Sequence, residues 1–134
     1  MSEQQRYFNL LLELQKINEI NRNVCCKSLG LDDNYGMELG TIQCYAGRQC
    51  GNSYFINQIA DYNDLIISIN RMDIFTNKKP TIININEYNF LDKDRLYNNI
   101  FIDNPSFIFK KVDKEQIYKD LYKDKRQTVY LLGM

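Results

Sequence analysis

Short apolar runs constrain the fold of this chain more than any other feature of its sequence. They cover residues 65–69, 81–85, 99–103 and 128–132, and a shorter strand-like run covers residues 41–45. Continuous apolar runs of this length are typical of strands buried on both faces of a sheet. Helix-like segments or loops separate them, and this alternation predicts an α/β fold with a mainly parallel sheet and flanking helices.

The 134 residues are expected to form a single domain, with a leading helix and loop at 1–38 and the α/β core at 39–134. Lys27 and Gly30 mark the predicted end of the leading helix, and Ser2 with Gln5 forms a candidate capping box at its start. This helix is expected either to pack on the sheet or to bind a partner helix. Its apolar face is predicted to contain Tyr7, Leu10, Leu11, Leu14 and Ile17.

The segments between the strands have less regular sequence patterns than the strands. A short helix is expected over 54–60, a helical turn over 71–75, and a short helix or irregular crossover over 92–98. Asp103, Asn104 and Pro105 indicate a turn, since these residue types favour one. A charged helix is predicted to begin at Asp113, with Ile117 and Leu121 facing inward.

Composition excludes several classes of function. The chain has 17 basic and 17 acidic residues, whereas a general nucleic-acid-binding protein normally has a basic excess. It contains no histidine, so Ser-His and Cys-His catalysis are excluded. The sequence starts without a secretory signal and has no apolar run of bilayer-spanning length, which predicts a cytoplasmic protein without a membrane partner.

The four cysteines are expected to be reduced, structural thiols. Cys25 and Cys26 are adjacent, and neither Cys44 nor Cys50 completes a C-x-x-C ligand pair. Cys50 has a second interpretation, since a helix N-terminus following it would activate its thiol.

The segment 46–53, with the sequence AGRQCGNS, is close to a phosphate-binding loop. The usual motif is G-x-x-x-x-G-K-[ST] between a strand and a helix. Ala46 stands for the first glycine, Gly51 and Ser53 match, and Asn52 stands where the motif has lysine. Such a loop wraps phosphates with backbone N–H groups and the positive end of the following helix.

A second motif element follows the third apolar run. Asp103 ends the run Ile100-Phe101-Ile102, at the place where an acidic residue would hold a Mg²⁺ shared with Ser53. Together, residues 41–104 resemble the P-loop NTPase family, and in particular the small ATPase-like proteins of tailed phages. Heavy use of Asn, Ile, Lys and Tyr, which have A/T-rich codons, indicates an A/T-rich genome, such as that of a phage or of a low-GC bacterium.

The resemblance implies a P-loop core in which Ser53 and Asp103 bind Mg²⁺ and a glycine loop binds ATP or GTP. The nucleotide-binding residues carried over in this way are Gly47, Arg48, Gln49, Cys50, Gly51, Asn52 and Ser53. Two departures weaken that chemistry. Asn52 replaces the lysine that neutralises the phosphates, and Asn104 stands where many family members have a glutamate that orients water.

These departures favour a non-hydrolysing accessory protein, with no catalytic residues, that acts by binding a host or viral protein. One alternative is a nucleotide-binding protein or weak NTPase that uses Ser53 and Asp103, with Arg48 in place of the lysine. Another is a nucleic-acid-associated factor that uses Lys110, Lys111 and residues 123–126, although interleaved acidic residues make a solvated helix face the simpler interpretation.

Overall fold

A computed structural model describes residues 3–29, 40–44, 52–69, 74–123 and 126–133. Within these ranges, five strands form one sheet in the order β1-β5-β4-β2-β3, and every neighbouring pair is parallel. The α/β class and the parallel sheet predicted from the apolar runs are therefore confirmed. The strands are β1 (Thr41–Cys44), β2 (Leu65–Ser68), β3 (Thr81–Asn84), β4 (Asn99–Asp103) and β5 (Thr128–Leu132).

Helices cover both faces of the sheet. The long helix α1 (Glu3–Leu29) comes before β1, and α2 (Asn52–Ile59) comes between β1 and β2. A 3₁₀ helix (Ile85–Phe90) follows β3 directly. The helices α3 (Pro105–Lys111) and α4 (Lys114–Leu121) connect β4 to β5.

The path of the chain through the sheet explains which helix covers which face. From β1 to β3 the chain moves toward one edge of the sheet, and from β3 to β5 it moves back toward β1. Since parallel crossovers are right-handed, this reversal sends the later connections to the opposite face. Accordingly, α2 packs on one face, here called the α1 side because α1 packs there too, and α3, α4 and the 3₁₀ helix pack on the other, the α4 side.

Aromatic rings dominate the core on the α1 side. The Phe55 ring of α2 lies 6.4 Å from the Phe101 ring of β4 and 5.7 Å from the Tyr130 ring of β5. Phe101 and Tyr130 stack at 4.8 Å between centroids. The buried residues Tyr7 and Leu11 of α1 complete this core, so the first half of α1 is held against α2 and the sheet.

The core on the α4 side is mainly aliphatic. Ile117 and Leu121 of α4 are buried against β2, β4 and β5, as their helical spacing predicted. Gln127 is also buried and fastens the connection into β5. Its Nε2 donates to the carbonyl oxygens of Tyr97 at 2.7 Å and Leu121 at 2.9 Å, and its Oε1 accepts from the Lys123 N–H.

A buried carboxylate, that of Asp64, lies at the amino ends of the strands and connects the elements that meet there. Asp64 lies just before β2 and accepts hydrogen bonds from the N–H of Asp61 and from both the backbone and the side-chain amide of Asn99. Burial raises the pKa of Asp64, and these hydrogen bonds oppose the shift. Because its partners are backbone and amide groups of neighbouring elements, the role of Asp64 is structural.

The predicted apolar face of α1 was wrong at two residues. Leu10 and Ile17 were expected to be buried, but they are 49% and 51% exposed, because the sheet covers only the side that holds Tyr7 and Leu11. For residues 92–98 the irregular crossover was the right alternative, since these residues form no helix. The 3₁₀ helix at residues 85–90 was not predicted.

The turn predicted at Asp103 to Pro105 leads directly into α3, a helix that was not predicted from the sequence. Pro105 is compatible with the first position of a helix, where its lack of an N–H has no cost. Predictions that rest on Ser2, Gly30 and residues 71–73 fall outside the described residues.

The Gln127 side chain is expected to contribute strongly to stability. Gln127→Leu would leave two buried carbonyl groups and one N–H without their partner, which costs about 1–3 kcal/mol in the free energy of unfolding. Urea denaturation measures the change. As a control, Gln116→Leu makes the same substitution on the exposed face of α4 and should change stability by less than about 0.5 kcal/mol. Equal effects at both positions would contradict this role.

Candidate functional site

The carboxyl ends of the five strands meet at one edge of the sheet, here called the carboxyl edge. In open α/β sheets, ligands bind at this edge, near the point where the direction of the crossovers reverses. On the α1 side of the sheet, strand register places the last side chains in one row. From β1 to β3, that row is Cys44, Leu132, Asp103, Ser68 and Asn84.

Asn52, the residue in the lysine position of the loop motif, is the first residue of α2. Its side-chain Oδ1 accepts a hydrogen bond from the hydroxyl group of Tyr7 in α1. Tyr7 is otherwise buried in the core on the α1 side, and a buried tyrosine normally needs such a partner for its hydroxyl. Asn52 therefore connects the N-terminus of α2 to α1.

The same asparagine also lies beside the end of β5. Gly133 has a positive φ of 102°, and its N–H donates to the Cys44 carbonyl at 3.0 Å. A Cβ added to Gly133 would lie 2.8 Å from Oδ1 of Asn104 and 3.4 Å from Nδ2 of Asn52. Asn52 and Asn104, which stand where the predicted motif would have a lysine and a glutamate, therefore both lie beside one glycine.

Asn104 is held in this place by an uncommon backbone conformation. It has φ 58° and ψ 66°, in the left-handed region that asparagine tolerates better than most residues. Its N–H donates to the Leu132 carbonyl at 2.9 Å, and its own carbonyl accepts from Phe107 and Ile108 in the first turn of α3. The left-handed residue thus turns the chain from β4 into α3 while its side chain stays at the end of β5.

Two polar side chains lie next to each other in the centre of the row. Because Ile67 pairs with Ile102, the next residues, Ser68 and Asp103, come side by side. Asp103 is only 5% exposed, and Ser68 is fully buried. Among the residues that the structure describes, the Ser68 hydroxyl has no hydrogen-bond partner. Since α2 covers this face of the sheet, both groups lie on the same side as its N-terminus.

The predicted nucleotide site is only partly described. Asn52 and Ser53 form the first turn of α2, which begins two residues earlier than the sequence predicted, and Ser53 is partly buried. The prediction that Gly47, Arg48, Gln49, Cys50 and Gly51 wrap a phosphate lies outside the described residues.

The described residues also bear on the predicted metal site and on the predicted nucleic-acid surface. Within the described ranges, no group of three or more acidic or cysteine side chains comes together to hold a metal ion. The Lys110 ammonium lies 5.3 Å from the centre of the Phe107 ring, and Lys123 donates to the Lys93 carbonyl. Both lysines therefore have a partner within the chain.

Two residues of this arrangement, Tyr7 and Gly133, were not predicted from the sequence. Tyr7 was assigned to the apolar face of α1, although the polar hydroxyl of a buried tyrosine was a signal that it needs an acceptor. Gly133 directly follows the last apolar run, and glycine after a strand is a common sign of a positive φ.

Comparison with protein-family models, with curated proteins and with solved structures found no match to this chain. In the part of the chain that the structure describes, every helix is too short or too polar to cross a bilayer.

Gly133 is expected to tolerate no side chain without a loss of stability. Gly133→Ala combines a strained φ with crowding against Asn104, so it should lower the free energy of unfolding by about 1–3 kcal/mol. Adding Asn104→Gly to Gly133→Ala removes the crowding and should recover part of that loss. Urea denaturation of both variants checks this, and wild-type stability of Gly133→Ala would contradict the described geometry.

Proposed function

We propose that this protein is a non-hydrolysing relative of the P-loop NTPases that acts by binding another protein. The hydrogen bond between Tyr7 and Asn52 carries this proposal. The residue in the position of the phosphate-binding lysine is neutral, and its side chain is used to hold α1. The carboxyl edge of the sheet then holds the long helix α1 in place.

The charge at this edge supports the same function. The two side chains that crowd Gly133 are amides, at positions where the motif has a cation and an acid. A hydrogen bond to a charged group contributes about 1.5–3 kcal/mol, so loss of the lysine weakens phosphate binding by about ten- to a hundredfold. Loss of the glutamate removes the group that would orient water for hydrolysis.

The exposed apolar residues of α1 supply the surface for a protein partner. The described core residues of α1 extend only as far as Leu14, whereas α1 continues to Leu29. Leu10, Ile17, Ile20 and Val24 are large apolar residues of α1 that are 49–61% exposed. Several exposed apolar residues on one helix are typical of a surface that docks onto another protein.

Nucleotide binding is a second candidate, favoured by Ser68 and Asp103. A buried hydroxyl without a partner beside a buried carboxylate is uncommon, and both lie on the face that α2 covers. In this alternative, Asp103 and Ser53 hold Mg²⁺ and the N-terminus of α2 faces the phosphates of ATP or GTP.

A thermal-shift measurement separates the two candidates. With millimolar Mg²⁺-ATP or Mg²⁺-GTP, we expect the unfolding temperature of the wild-type protein to stay unchanged, because the lysine is missing. Asn52→Lys is expected to lower the unfolding temperature through loss of the Tyr7 hydrogen bond. Ser53→Ala is the matched control in the same turn of α2.

Stabilisation of the wild-type protein by several degrees would contradict the main proposal. The nucleotide-binding alternative predicts tighter nucleotide binding by Asn52→Lys and weaker binding by Ser53→Ala. If neither variant changes nucleotide affinity, the segment 46–53 is not a nucleotide site.

A further inference from the structure

We draw no further inference here: the strongest candidate, the buried side-chain pair of Ser68 and Asp103 at the carboxyl edge of the sheet, belongs to the site already described, where it supports the nucleotide-binding alternative.

Discussion

Burial of a parallel sheet on both faces is the constraint on which the rest of this structure depends. Neighbouring parallel strands must be joined by crossovers, and right-handed crossovers cover both faces only if the chain reverses its direction along the sheet. Here the reversal follows β3, so that α2 lies on one face and α3 and α4 lie on the other, and α1 packs on the same face as α2. The same arrangement brings the carboxyl ends of all five strands to one edge. Asn52, Asn104 and Gly133 meet at this edge although they are far apart in the sequence.

This edge links the candidate site to the candidate interface. Asn104 uses a left-handed conformation to place its amide at the end of β5, and Gly133, which has a positive φ, leaves room for that amide because it has no Cβ. Asn52 lies on the other side of Gly133 and accepts from Tyr7, which belongs to the buried part of α1. Polar contacts that would serve a phosphate in a P-loop protein are, in our proposal, used to hold the helix whose exposed apolar residues bind a partner.

The sequence predicted the strands well because their apolar runs have one physical explanation, burial on both faces. Residues 99–103 and 128–132 match β4 and β5 at both ends. Local patterns failed where tertiary contacts decide the outcome. Helical spacing placed Leu10 and Ile17 with Tyr7, but only the sheet determines how wide the buried face of α1 is. Likewise, the sequence singled out Asp103 and Asn104 as candidate motif positions, whereas their contact with the end of β5 depends on strand order, which spacing along the chain does not contain.

The central claim, that Asn52 holds α1, can be tested by a double-mutant cycle. Tyr7→Phe, Asn52→Ala and the double variant would be compared with the wild type by urea denaturation, with the free energy of unfolding as the readout. The account predicts that the two substitutions are not additive, with a coupling energy of about 0.5–1.5 kcal/mol for the shared hydrogen bond. Additive effects, with no coupling between Tyr7 and Asn52, would contradict it.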